Sequence, residues 1–332
     1  MQLLEVENRP AARDEQDVLA QWSSWGAIPQ IFDESRTEWD DERTQLRALL
    51  DETSFTAARR TTLNAHYTDP QFVAEVWAGL DQLGFTGGRV LEPGSGWGTF
   101  IGLAPATATM TGVELDPTSA AISRGLYPDA TVRTESFAAT RYPGGHFDAV
   151  VGNVPFADVR LHDPRHNAGA HSIHNHFILK SLALTRPGGM VAVLTSRYTM
   201  DGTNPAARRE MNQLGDLVGA VRLPTGAHRR AAGTDVVTDL VILRRREAGA
   251  VPVSDAWETV TPRVVDGEVV RINSYFDDHP EHILGDLSVG HGMYGENTLS
   301  VVSGDLGATR THLRGALADI TARAVVDGQV FT

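Results

Sequence analysis

Apolar residues keep two different rhythms along this chain. Between about 11 and 60 they recur at helical spacing, with Leu19, Trp22, Leu46, Leu49 and Leu50 set among charged residues and no strand-like alternation. The spacing predicts a helical N-terminal cap over 1–64. From about 65 onward, short apolar runs alternate with helical segments, the order of a mostly parallel sheet covered on both faces. Strands are predicted at 88–92 (GRVLE), 110–114 (MTGVE), 130–134, 147–152 (FDAVVG), 190–195 (MVAVLT), 217–223 (LVGAVRL) and 237–243 (VTDLVIL). Helices are predicted near 70–83, 98–104, 117–125, 172–185 and 205–213, giving an α/β core over 65–247. Gly249, Pro252 and Ser254 read as a linker. The remainder, 248–332, reads as a small C-terminal extension: a hairpin in VVDGEVVRI, with Asp266-Gly267 as its tight turn, and a closing helix near 311–325.

With 332 residues and 41% apolar composition the chain can bury one main domain plus additions. No run of about 18 apolar residues occurs, and the start MQLLEVENRP lacks a basic-then-apolar order, so a soluble, cytoplasmic protein with no membrane partner is expected. Cysteine is absent, which excludes disulfides, thiolate zinc sites and cysteine nucleophiles. A net charge of −13 argues against a surface that clamps nucleic acid all over, because phosphate binding draws on lysine and arginine. Local basic groups remain at Arg59-Arg60, Arg160 with Arg165, Arg208-Arg209, Arg229-Arg230 and Arg244 to Arg246, each either a solvated face or a phosphate contact.

The strand GRVLE runs into Glu92-Pro93-Gly94-Ser95-Gly96, a turn whose glycines let backbone approach a ligand. About twenty residues on, GVELDP places Glu114, followed by Leu115, at the end of the next strand, where a carboxylate accepts hydrogen bonds from ribose hydroxyls. A glycine turn alone is equally a tight strand-to-helix connection; with the acidic residue at this distance the pair reads as a nucleoside site. Glu92 would repel a pyrophosphate and suits the ammonium and sulfonium of S-adenosylmethionine, which favours that cofactor over NAD.

At the end of the fourth strand stands Asn153-Val154-Pro155-Phe156. This resembles the Asn/Asp-Pro-Pro-Tyr/Phe motif of amino-methyltransferases, in particular the adenine-N6 DNA methyltransferases, in which the cofactor motif precedes the catalytic one. The resemblance implies a Rossmann-like class I S-adenosylmethionine-dependent methyltransferase with a mostly parallel seven-stranded sheet. An aryl amine's lone pair is delocalised into its ring, so two acceptors aimed at its N–H bonds are needed to localise it. In the family these are the Asn oxygen and the next residue's carbonyl, with the aromatic stacking on a base flipped out of the duplex. Asn153, Val154 and Phe156 match those roles; Val154 departs from the usual proline but keeps the carbonyl.

Over most of 15–290 the resemblance continues. His66-Tyr67-Thr68-Asp69-Pro70 resembles the motif over the methionine end of the cofactor, which assigns Tyr67 and Thr68 to it. Glu135-Ser136-Phe137 falls where the family has Asp-Phe beside the cofactor's adenine, with Ser136 in place of Asp. The stretches HNHFILKSLALTRPGG, VAVLTSRYTMD and VRLPTGAHRRAAGTDVVTDLVIL look like the methylase part of phage and mobile-element methylase-helicase proteins linked to protection from restriction. No Walker-type Gly-x-x-x-x-Gly-Lys occurs, so the chain reads as a fragment or a stand-alone relative, with a helicase or specificity protein as an expected partner. His228 stands where relatives have a second base-stacking aromatic, and Arg229 and Arg230 beside it suit a phosphate; an ordinary loop histidine is the plain alternative. The stretch His162, His166, His171, His174 and His176 matches no common metal spacing, so no metal is expected, and with Arg160 and Arg165 it is expected to border the DNA. The expected reaction is methylation of adenine N6 in DNA. An RNA base or a protein glutamine as acceptor, and a non-catalytic interaction protein on the same fold, are the rival readings.

Overall fold

The computed structural model describes residues 4, 7, 9–62, 68–227, 237–291 and 297–332. Seven strands form one sheet: β1 (Gly88–Pro93), β2 (Ala108–Glu114), β3 (Thr131–Thr134), β4 (Phe147–Asn153), β5 (Thr185–Ser196), β6 (Gly215–Arg222) and β7 (Thr238–Arg245). Their order is β3-β2-β1-β4-β5-β7-β6, and only β7 runs against its neighbours. The fold is therefore the Rossmann-like, mostly parallel seven-stranded one that the sequence implies. Because successive strand residues point to opposite faces, uninterrupted apolar runs feed two separate cores. Met190, Ala192, Leu194, Leu240 and Ile242 face one layer of helices, whereas Val191, Val193, Val241 and Leu243 face the other.

The first strand order reversal lies between β1 and β4, and crevices at the carboxyl ends of strands at such a point are where α/β sheets bind ligands. Asn153 ends β4 and pairs in register with Leu194 of β5, while Glu114 ends β2. The glycine turn after β1 lies between these two ends.

The N-terminal segment has a small core of its own: Trp25, Ile31, Phe32, Phe55 and Ala58, with Trp22, Trp39, Leu46 and Leu50 packed on it. Arg43 ties its turns together by donating to the carbonyls of Ile31 (2.9 Å), Asp33 (2.6 Å) and Arg36 (3.0 Å). Leu49, expected on an apolar stripe, is instead 61% exposed, because the next turn of chain leads away at Leu50.

Two hairpins, β8–β9 (Val260–Val265, Glu268–Asn273) and β10–β11 (Asp286–His291, Asn297–Val302), follow the sheet. Asp266 and Gly267 both sit at positive φ, as the expected tight turn requires. The final helix, Thr309–Val326, packs over β6 and the helix Pro70–Gln82. Gly219 allows this approach, since a Cβ there would meet Ile320 at 2.7 Å. Buried Glu75 receives Arg310 at 2.7 Å and Arg314 at 2.6 Å, pinning that helix. No described helix is long and apolar enough to cross a membrane.

Candidate active site

A cavity of about 400 Å3 opens at the carboxyl ends of β1, β2 and β4. Its wall includes Thr68, Glu92, Gly94, Ser95, Gly96, Glu114, Leu115, Ser136, Phe137, Asn153, Val154 and Pro155, so both sequence motifs face one space. Gly94 (φ 69°) and Gly96 (φ 54°) form the turn. A Cβ on Gly94 would point at Phe177 and Pro155, 3.6 and 3.7 Å away, whereas one on Gly96 would meet nothing within 4 Å. The glycine turn therefore packs against Pro155 and Phe177 on one side and has open space on the other.

Glu114 is oriented by backbone, its two oxygens accepting from Gly96 N (2.8 Å) and Asp116 N (2.7 Å). Burial pushes its carboxyl up to about 7 against the pull of those bonds. Glu92 accepts from Ile101 N at 3.1 Å, which caps the short turn after the glycines, and burial drives its carboxyl well above the usual carboxylate range. Both acids sit where a cationic or hydroxyl-bearing ligand would favour their charged forms.

Val154, where the family has proline, uses the N–H that proline lacks: it donates to Leu194 O at 3.0 Å and extends the β4–β5 ladder by one residue. The following loop is braced from within, Asn167 Nδ2 donating to the carbonyls of Leu161 and His171. Buried Asp163 accepts from Lys180 (2.9 Å) and His176 (3.2 Å). Burial pushes the Asp163 carboxyl up, but these bonds prevail and hold it at about 2.

Among the other expected residues, Pro93 is buried in β1 and outside the cavity wall. Phe156 is likewise outside the cavity wall, half-buried against the apolar cluster that includes Phe177. Arg160 and Arg165 are exposed on the loop after the motif. Tyr67, His228, Arg229 and Arg230 lie outside the described residues. Of the basic groups, Arg208 and Arg246 are buried: Arg208 donates to the carbonyls of Glu258, Thr199 and Gly202, and Arg246 pairs with Asp216. Neither is a solvated face or a phosphate contact, because their donors are spent inside the protein. The clustered histidines disperse to separate partners, His171 to Glu210 and His174 to Ser172.

The cavity also has lining residues that sequence reading did not assign: Ser24, Trp25 and Ala57 from the N-terminal segment, Trp97 and Thr99 after the glycine turn, and Asp116 and Glu135. Among the described wall residues four are carboxylates, Glu92, Glu114, Asp116 and Glu135, and none is lysine, arginine or histidine. That lining disfavours a phosphate and suits ribose hydroxyls, an ammonium and a sulfonium. S-adenosylmethionine is the cofactor that this fold and this lining fit.

The sequence is similar to restriction-system proteins. It is 31% identical over 192 residues to Defense against restriction protein B of Escherichia phage P1, covering 56% of this chain and 8% of that protein. It is 28% identical over 195 residues to Type II methyltransferase M.XamI of Xanthomonas campestris pv. amaranthicola, covering 50% of this chain and 36% of the relative. The chain thus spans well under half of either relative. Among solved structures, the methyltransferase subunit of the type I restriction-modification system from Streptococcus thermophilus superposes with a TM-score of 0.47 at 12% identity, over 80% of this chain and 58% of that one. No protein-family model matches the chain.

Proposed function

We propose that this chain is an S-adenosylmethionine-dependent methyltransferase of restriction-modification type that methylates adenine N6 in DNA. The observation that carries the proposal is that Asn153, Val154 and Pro155 line the same cavity as Glu114 and the glycine turn. The bound cofactor would supply an activated methyl group on a sulfonium. Glu114, with Leu115, takes the ribose; Gly94, Ser95 and Gly96 admit the methionine end beside Thr68 and Glu92; Ser136 and Phe137 border the adenine. The side-chain oxygen of Asn153 and the carbonyl of Val154 accept from the target amine, and Phe156 stacks on the extruded base. Arg160 and Arg165 contact backbone phosphates along the exposed loop. Similarity to a phage antirestriction protein and to a type II methyltransferase supports DNA over RNA or protein as the acceptor.

Transfer of a tritiated methyl group to unmethylated DNA, RNA and protein extract tests this directly. Label recovered as N6-methyladenine from DNA is the expected result. Label on RNA or on glutamine would replace the substrate, and cofactor binding without transfer to any acceptor would leave an interaction protein on this fold.

A further inference from the structure

Asp116 lies 91 residues from Trp25 in sequence, yet the indole Nε1–H of Trp25 donates to Asp116 Oδ2 at 3.3 Å. The same oxygen accepts from Ser119 N at 2.8 Å and so caps the helix Pro117–Leu126. Asp116 is 1% exposed and lines the cavity, and its second oxygen, Oδ1, meets no donor among the described residues. A buried carboxylate oxygen left without a donor is costly, and a ligand hydroxyl or amine in the cavity would remove that cost. Both oxygens of neighbouring Glu114 already accept backbone N–H groups, whereas Asp116 Oδ1 accepts none among the described residues.

The N-terminal segment meets the cavity at the same place. Trp22 Nε1 donates to Ser119 Oγ at 3.4 Å, and Ser24 and Trp25 are part of the wall. Trp25 is delivered by Ser24, a non-glycine residue at φ 63°, and is held edge-on by Trp22 at 4.7 Å and by Phe32 at 5.6 Å. One carboxylate thus joins the helical segment to the cavity wall.

We infer that Asp116 is a nucleoside-binding residue whose Oδ1 accepts a hydroxyl or amino donor of the cofactor's adenosine, and that through Trp25 this contact fastens the N-terminal helical segment over the pocket. The inference rests on the cofactor reading above. It makes the helical segment a closure that responds to adenosine rather than to methionine, because Asp116 adjoins the ribose acid Glu114 and not the Asn153 end.

Asp116→Asn separates the roles, since asparagine keeps an oxygen to cap the helix but sets an amide NH2 where Oδ1 was. Titration of the full chain with S-adenosylhomocysteine is expected to show at least about tenfold weaker binding by this variant. Trypsin cleavage after the exposed Arg36, Arg47 and Arg59 should be slowed at least about tenfold by saturating S-adenosylhomocysteine or adenosine and not by methionine. Trp25→Phe, which removes only the indole donor and ring bulk, should lose most of that slowing. Circular dichroism matching wild type confirms that each variant is folded. If wild type binds S-adenosylhomocysteine while Asp116→Asn binds equally well and cleavage is indifferent to adenosine, the inference is overturned and the cofactor reading stands. If wild type binds neither S-adenosylhomocysteine nor adenosine, both fall.

Discussion

Lys180 donates its ammonium to the backbone carbonyl of Phe137 at 2.6 Å, so a side chain from the helix Ile173–Leu184 fixes the segment that borders the cavity at Ser136. Its second bond, to Asp163 Oδ2 at 2.9 Å, reaches the loop that follows Asn153. Both side chains are fully sequestered. A buried pair of this kind is costly to break from one side, because the remaining charge has no solvent to turn to. Lys180→Met is therefore expected to lower stability by about 3–5 kcal/mol in urea unfolding, and adding Asp163→Asn should restore part of it. A single variant as stable as wild type would mean that the pair holds nothing.

Cofactor affinity should depend on pH near neutrality. Burial places Glu114 at about 7 in the unliganded chain, whereas ribose hydroxyls donate to the carboxylate form. Binding therefore releases a proton below that pH, and affinity should rise up to about pH 7 and level off above it, falling by up to about tenfold per unit on the acid side. Calorimetry of S-adenosylhomocysteine binding in buffers of different ionisation enthalpy measures the released proton. Affinity that stays flat from pH 5.5 to 7.5 would remove Glu114 from the ribose, and Glu114→Gln should remove the part of the slope centred near pH 7.

The two motifs in the cavity should separate kinetically. Asn153→Ala is expected to cost at least about two orders of magnitude in the methyl-transfer rate, as loss of a polar group at a reacting centre does, while S-adenosylhomocysteine affinity stays close to wild type. Glu114→Ala should weaken cofactor binding first. Single-turnover rates at saturating cofactor distinguish the two, and exchanged phenotypes would reverse the assigned roles.

Strands were legible wherever both faces are buried, since continuous runs such as MVAVLT and VTDLVIL need no periodicity to stand out. The β10–β11 hairpin was not, because its alternation is short, resting on Leu287 and Val289 in one strand and Leu299 and Val301 in the other, too few apolar positions to stand out. The glycine turn, Glu114 and Asn153 were readable because each occupies a fixed place relative to a strand end. Trp25, Asp116, Lys180 and Asp163 were not, since their meaning lies in contacts between residues 17 to 91 positions apart that no local pattern encodes. Arg208 and Arg246 misled for the same reason: a basic doublet in sequence says nothing about which carbonyls and carboxylates will surround it.

Val154→Pro tests what position 154 must supply. Proline keeps the backbone carbonyl but removes the N–H that Val154 donates to Leu194 O, leaving that acceptor at the end of a buried ladder without its donor. The loss should cost about 1–3 kcal/mol of stability. Because the carbonyl assigned to the target amine remains, the transfer rate should stay within about tenfold of wild type, a barrier change under about 1.4 kcal/mol. Urea unfolding and single-turnover transfer on the same preparation read the two quantities separately. A folded variant whose rate falls as far as that of Asn153→Ala would mean that position 154 contributes more than its carbonyl, and that the β4–β5 ladder bond is itself part of the catalytic geometry.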